Sequence, residues 1–107
     1  MSAYIVHTYN ILDRSRIDEL GPISLPVVEK YGGEISIASF VKNLENASFS
    51  HMVVYKFPNM AAAESYYESE ENRKIAELRN ELIEGSIVLV PGFDRSEERR
   101  VGKECRS

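Results

Sequence analysis

Most of the signatures that would assign a reaction to this 107-residue chain are absent from it. The sequence has no P-loop, no Gly-x-Gly-x-x-Gly, no Gly-x-Ser-x-Gly and no Cys/His spacing typical of zinc ligands. Motifs therefore give no support to a nucleotide-binding protein, a serine hydrolase or a zinc protein. No cofactor is expected.

Long apolar runs and clusters of basic residues are also lacking before the C-terminal tail. No apolar run approaches the roughly 20 residues that cross a bilayer, and the N-terminus lacks the basic-then-apolar pattern of a secretory signal. The formal net charge is -4, whereas nucleic acids and anionic membranes are bound by basic patches. We therefore expect a cytoplasmic protein with no nucleic-acid or membrane partner.

Only one cysteine is present, Cys105, so no disulfide can form within the chain. It lies in residues 95–107, a charged segment with one bulky apolar side chain and no helical or strand period. This segment closely resembles the conceptual translation of a common sequencing-library adapter. We expect residues 1–94 to form the folded domain and residues 95–107 to be a disordered artefact.

The first third of the chain predicts a strand followed by an interrupted helix. Residues 4–11 are rich in aromatic and β-branched residues, which favour a strand. Asp13 is a candidate N-cap for the helix that follows. Pro22 and Pro26 predict a kinked or two-piece helix because proline lacks the backbone donor, and Gly32-Gly33 predicts where it ends.

The rest of the chain predicts three further strands and an amphipathic helix. That helix spans residues 60–82, with Asn59 as its N-cap and a break at residues 69–72. The third and fourth strands are apolar almost without interruption, which is typical of strands covered on both faces. The three strands are predicted at residues 34–41, 51–57 and 86–90.

The order β-α-β-β-α-β on about 90 residues predicts an α+β, ferredoxin-like sandwich, with a four-stranded antiparallel sheet and both helices on one face. The other face would expose several Val, Ile and Tyr side chains, at roughly 25 cal/mol for each Å² of apolar surface. A second copy packed around a two-fold axis would cover it, so we expect a homodimer that forms a dimeric α+β barrel. The alternative is that long side chains and the terminus shield this face in a monomer.

The third strand predicts which residues belong to which face. One set packs beneath the helices, and the other reaches a rim or the second copy. The set that contains Lys56 is expected to be the one that reaches the rim or the second copy. The two sets are Val53, Tyr55 and Phe57 on one face, and Met52, Val54 and Lys56 on the other.

The two histidines raise the question of a metal site. We expect the first and third strands to run parallel, with His7 in mid-strand and His51 at a strand start, about 13 Å apart at about 3.3 Å per residue. That separation is too large for one ion, so no metal site is expected. His7 either fills space beside Ile5 and Tyr9 or takes part in chemistry, and His51 is expected to be exposed.

His7, Tyr66, Asn72 and Arg79 are the candidate catalytic residues. Tyr66 and Tyr67 end the first part of the long helix, and Asn72 and Arg79 follow within the second part. Arg79 could reach over the helix to hold an anionic or carbonyl group. The alternative is a solvated arginine paired with an acid, and tyrosine rings that serve as core.

Six segments carry a resemblance to a known family. They are residues 4–10, 30–33, 57–63, 66–70, 78–79 and 87–92. Their Phe-Pro-x-Met-x-x-Ala turn, aromatic pair and serine together resemble the small dimeric α+β-barrel family catalogued as uncharacterised domain number thirteen-thirty. The resemblance spans nearly the whole chain up to about Phe93, and it implies a homodimer without implying a particular reaction.

Two functions of different classes remain open. One is a cofactor-independent enzyme, similar to the monooxygenases and isomerases among other dimeric α+β barrels, acting on a small apolar or carbonyl-containing molecule between sheet and helices. The other is a non-catalytic dimeric ligand-binding or structural protein. The fold cannot choose between them, because one scaffold supports many activities.

Overall fold

The computed structural model describes residues 1–92, which form a four-stranded antiparallel sheet with three α-helices. The strand order is β2-β3-β1-β4, so β2 and β4 are the edges. The predicted ferredoxin-like α+β fold is confirmed, with its second helix divided in two. In chain order the elements are β1 (Ala3–Ile11), a 3-10 helix (Ile17–Glu19), α1 (Leu20–Lys30), β2 (Glu34–Phe40), β3 (His51–Phe57), α2 (Met60–Glu68), α3 (Glu70–Leu82) and β4 (Ile83–Pro91).

The predictions for residues 95–107 and for Cys105 lie outside the described residues. Within residues 1–92, no helix is long and apolar enough to cross a membrane. The cytoplasmic location expected from the sequence stays a prediction.

Side-chain caps divide the predicted long helix where its sequence changes character. Asn59 begins α2 by accepting a hydrogen bond from the backbone N–H of Ala62 at 2.8 Å. Ser69 is extended, ends α2 and caps α3 by accepting a bond from the N–H of Asn72. Both the predicted Asn59 cap and the predicted break at residues 69–72 are confirmed.

The segment after β1 differs from its prediction at one end. Asp13 is not a helix N-cap, because its carboxylate accepts bonds from the backbone N–H and hydroxyl of Ser15 in a local turn. The chain then forms the 3-10 helix and α1 as two pieces, with Pro26 inside α1. Gly32 has a φ of 85°, the left-handed conformation that ends α1 as predicted.

The predicted parallel arrangement of the first and third strands is wrong. β1 pairs antiparallel with β3, with Tyr9 opposite His51 and His7 opposite Val53. The α1 crossover makes β1 and β2 run in the same direction, and the β2–β3 hairpin then reverses the chain. His51 is therefore only two register positions from His7, and the separation of about 13 Å was an error.

The helices cover one face of the sheet, where the main core lies. Ala3 and Ile5 of β1 and Phe57 of β3 pack there against Val28, Ala63 and Tyr66 of the helices. The face assignment for β3 is confirmed, since Tyr55 packs against this core. We call this the helix face and its opposite the open face.

β2 changes faces at a bulge. Ile35 pairs with Tyr55 and Ile37 with Val54, so Ser36 is the extra residue between the two pairs. Without the bulge, Ile35 and Ile37 would share one face. With it, Ile37 joins the open face beside Val54.

Candidate functional site

A cavity of about 300 Å³ opens beneath α3 on the helix face, between β1 and β4. His7 of β1 and Arg79 of α3 both line it, so the structure brings together two of the four predicted site residues. Gly85 of β4 also lines it and stands opposite Tyr9, where a Cβ atom would collide with the backbone of Thr8 and Tyr9. The remaining lining residues are Leu12, Asn80, Ile83, Glu84 and Ile87.

His7 is held without charge in this environment. Its strand neighbours on the helix face are Val53 and Ile87, which offer no polar partner. Burial, followed by the positive charge of Arg79, lowers the pKa of His7 from 6.5 to about 4. At neutral pH the imidazole is therefore neutral, and while its pKa stays this low it accepts a proton less readily than a free imidazole does.

Arg79 is positioned by a chain of hydrogen bonds along α3. Its Nη1 donates to Oδ1 of Asn72 at 3.4 Å, and Nδ2 of Asn72 donates to the carbonyl oxygen of Tyr67 at 2.8 Å. Ser69 joins this chain, because its hydroxyl donates to the carbonyl of Tyr66 and accepts from the N–H of Asn72. Asn72 thus connects the α2–α3 break to the guanidinium.

Tyr66, the fourth predicted residue, lies in the core and does not line the cavity. Its ring is buried against those of Phe57, Tyr55 and Tyr31, with centroids 5.3, 6.2 and 6.3 Å away. Burial, and then the nearby Tyr55, raises the pKa of Tyr66. The buried ring of Tyr66 matches the alternative stated above, in which the tyrosine rings serve as core. Any contact with a ligand would therefore have to be made by the Tyr66 hydroxyl.

Tyr55 was not among the predicted site residues. Burial raises the pKa of Tyr55, whereas the positive charge of Arg79 lowers it. The phenol of Tyr55 therefore lies close enough to the guanidinium to interact with its charge. Its position on the face of Val53 and Phe57 was predictable from strand alternation. Its closeness to Arg79 depends on how α3 crosses the sheet, which no local pattern specifies.

The two histidines lie on either side of Tyr9. The ring centroid of Tyr9 is 5.2 Å from that of His7 and 5.5 Å from that of His51, which stacks on it. His51 is half-buried and its Nδ1 shares a hydrogen bond with the hydroxyl of Ser50 at 2.7 Å. Within residues 1–92, no group of three or more His, Cys, Asp or Glu side chains has the geometry of a metal site.

A salt bridge on the outer surface links α1 to α3. Lys30 donates to Glu71, and the hydroxyl of Tyr31 donates to the same carboxylate at 3.2 Å. These bonds lower the pKa of the Glu71 carboxyl. The pair ties α1 to α3 outside the aromatic cluster around Tyr66.

The site can accept a proton and stabilise a negative charge on neighbouring atoms. A neutral imidazole serves as a general base, and a guanidinium beside it attracts the anion that proton removal creates. An anionic group held by Arg79 would also offset the positive field that lowers the pKa of His7. His7 would therefore become a stronger base when such a group is bound.

The comparisons with known proteins agree with this fold. Residues 2–93 match the model of the family described as Domain of unknown function, DUF1330. No protein with a curated description matches the chain.

Solved structures of similar fold include both uncharacterised proteins and enzymes. The RPA0582 protein of unknown function from Rhodopseudomonas palustris is 14% identical with a TM-score of 0.68, over 88% of this chain and 84% of that one. SnoaB, a cofactor-independent oxygenase from Streptomyces nogalater, is 7% identical with a TM-score of 0.66, over 88% and 95%. An antibiotic biosynthesis monooxygenase is 20% identical with a TM-score of 0.52, over 88% and 100%. Such identities indicate a shared α+β-barrel fold only.

Proposed function

Because this chain belongs to the family described as Domain of unknown function, DUF1330, we propose a function from its own geometry. We propose that it is a cofactor-independent enzyme that removes a proton from a small apolar molecule containing a carbonyl group. The observation that carries the proposal is the neutral His7 facing Arg79 in one cavity. The fold shared with the oxygenase SnoaB is compatible with it.

The proposed step moves one proton and one electron pair. A C–H bond beside the carbonyl breaks, its proton passes to the His7 imidazole, and the electron pair spreads onto the carbonyl oxygen. Arg79 holds that oxygen, with Asn72 fixing the guanidinium. Return of the proton to another carbon would give an isomerase. Reaction of the carbanion with dioxygen and a proton would give a hydroperoxide, and loss of water from it would leave one oxygen atom on the carbon, which is the net result of a monooxygenase.

We also propose that the working form is a homodimer joined through the open face. Ile37, Val54, Val6 and Val88 pair in one row across all four strands of that face. Val54 is 6% exposed, but Ile37 and Val88 at the two edge strands are 48% and 51% exposed. A second copy related by a two-fold axis would bring the same row against itself.

The enzyme proposal is tested by proton exchange in D₂O. Small ketones that raise the melting temperature of the protein are incubated with it, and NMR follows deuterium entering the carbon beside the carbonyl. We expect His7→Gln to slow exchange roughly 100-fold or more, the usual size of a general-base effect. Arg79→Met should slow it as well, because the developing anion loses its counter-charge.

The matched control is Arg73→Met, which removes an exposed arginine from the same helix. Equal exchange in the His7 and Arg79 variants and in this control would contradict the proposal. Ketones that bind but exchange no faster than in buffer would favour a non-catalytic ligand-binding protein instead. The buried position of Tyr66 is the observation that favours this second function, since that ring already has a structural role.

A further inference from the structure

A separate cavity of about 180 Å³ lies beneath α1, over β2, β3 and the end of β1. We call it the α1 cavity. Its lining residues are apolar except for Tyr9, Ser24 and Tyr55, each of which carries a hydroxyl group. The other lining residues are Ile17, Leu20, Gly21, Leu25, Ile35, Ala38 and Val53.

The three hydroxyls have no partner within the part of the chain that is described. Ser24 is only 5% exposed, yet no hydrogen bond among residues 1–92 satisfies its hydroxyl. The same holds for the hydroxyls of Tyr9 and Tyr55. No side-chain oxygen or nitrogen in residues 1–92 is both fully inaccessible and unbonded, so each of these hydroxyls keeps some accessible surface, and all three residues line the cavity. Polar groups turned into an apolar cavity are the usual means of orienting a small ligand.

The α1 cavity is partly open to solvent, so its volume describes the part of a ligand that its walls can enclose. A dry apolar cavity of about 150 Å³ accommodates benzene, so about 180 Å³ accommodates one six-membered ring with a small substituent. The hydroxyls require that the substituent contain oxygen, because an unsubstituted hydrocarbon would leave all three without partners.

The α1 cavity adjoins the His7 site. Tyr9 lines the former, and its ring centroid is 5.2 Å from that of His7, which lines the cavity beneath α3. Val53, another wall of the α1 cavity, pairs directly with His7 across the strands. A ring in the α1 cavity therefore lies next to the group proposed to remove the proton.

We propose that the α1 cavity binds a single-ring compound that carries a hydroxyl or carbonyl oxygen. Ser24, Tyr9 and Tyr55 bind this oxygen, which is distinct from the carbonyl oxygen that Arg79 holds, and Leu25 and Val53 contact the ring. This proposal names the substrate class of the proposed function. Ligand binding in the α1 cavity does not depend on that function, and only the removal of a proton by His7 rests on it.

The test uses p-cresol as the probe and toluene as its hydrocarbon counterpart. We expect p-cresol to shift the amide NMR signals of Ser24, Leu25 and Val53 in a saturable way, and to bind more tightly than toluene. Ser24→Ala should weaken p-cresol binding about 2- to 10-fold, the value of one hydrogen bond, and should leave toluene unaffected. The matched control, Ser65→Ala, removes an exposed serine on α2 and should change neither.

A second variant keeps the test decisive if Ser24→Ala folds poorly. Ala38 lies on the exposed strand β2, so Ala38→Leu should fold while filling the α1 cavity and abolishing the p-cresol shifts. Shifts confined to Arg79 and Gly85, no saturation, or equal affinity for p-cresol and toluene would overturn the proposal. p-Cresol has no carbonyl, so its binding without ketone exchange would refute the proposed reaction alone. Ketone exchange without p-cresol binding would refute the α1 cavity alone.

Discussion

The two faces of one sheet use their apolar side chains differently. On the helix face, odd-numbered residues of β1 such as Ala3 and Ile5 are buried, while His7 further along meets a cavity. On the open face, apolar side chains occupy one row across the strands and become more exposed towards both edges. The helices of the same chain thus cover the apolar side chains of the helix face, whereas on the open face only the side chains at the centre are covered.

This difference indicates which face carries which role. A polar group on the helix face is removed from water, so its properties change, as the lowered pKa of His7 demonstrates. The open face has no such group at its centre, and the rows beside the apolar one mix polar and apolar side chains: Glu34 and Lys56 share one row with Tyr4 and Val90, and Ser39 and Ser86 share the other with Met52. We therefore expect chemistry on the helix face and association through the open face.

The largest expected effect separates a phenylalanine of the core from one at the sheet edge. Phe57 on the helix face is 1% exposed, whereas Phe40 at the end of β2 is 77% exposed. Phe57→Ala should lower the free energy of unfolding by about 3–5 kcal/mol. Phe40→Ala should change it by less than about 0.5 kcal/mol. Urea denaturation measures both, and equal effects would mean that the core is wrongly located.

A charge on the open face should act on association with little effect on the protomer. Val88→Asp places a carboxylate in the apolar row, and burying it against a second copy should weaken dimerisation by about 2 kcal/mol or more. The matched control is Ile23→Asp, since Ile23 is 43% exposed on the outer side of α1 and Val88 is 51% exposed. Sedimentation velocity at tens of micromolar should give a dimer for the unmodified protein and the control, and a monomer for Val88→Asp. A monomeric unmodified protein would refute the open-face interface.

Burial of His7 should make folding sensitive to acid. Above pH 6.5 the imidazole is neutral in both states, whereas between pH 6.5 and about 4 the unfolded chain binds a proton that the native site does not. The stabilisation is therefore complete above pH 6.5 and is lost as the pH falls towards 4. It amounts to roughly 1–2 kcal/mol after allowance for solvent screening. His7→Gln should flatten this part of the pH–stability curve, and parallel curves for the two proteins would contradict it.

The smallest expected effect concerns the helix cap that begins α3. Ser69→Ala removes the acceptor of the Asn72 N–H and should destabilise the protein by about 1 kcal/mol. Ser65→Ala, at an exposed position of α2, should have an effect below about 0.5 kcal/mol. Thermal unfolding monitored by circular dichroism compares the two, and an equal effect would mean that the cap does not stabilise α3.

The sequence predicted the elements better than it predicted how they meet. Local signals were sufficient for the cap at Asn59, for the break at residues 69–72, for the end of α1 at Gly32 and for the two faces of β3. Strand direction was wrong, because it follows from counting reversals along the whole chain and not from any segment. β4 also begins at Ile83, directly after α3, since pairing of Ile83 with Ile11 extends the strand beyond its apolar run.

The candidate site was predictable only in part, because it too depends on how the elements meet. His7 stood out as a polar residue in a largely apolar strand, and Arg79 as a cation that could reach over its helix, and the two do share a cavity. Tyr66 was selected by its residue type, although the aromatic rings around it come from β3 and from the residue that follows α1. The α1 cavity was not foreseen, because its hydroxyls come from β1, α1 and β3, and only the folded chain brings them together.

The most direct test of the account is an NMR titration of the His7 imidazole in the unmodified protein and in Arg79→Met, with Arg73→Met as the control. The central claim is that the helix face encloses His7 beside Arg79 as a neutral base. It predicts a pKa of about 4 for His7 in the unmodified protein and in the control, and a higher value in Arg79→Met, since one of the two causes of the shift has been removed. A His7 pKa near 6.5 in the unmodified protein, or one that does not change in Arg79→Met, would contradict it.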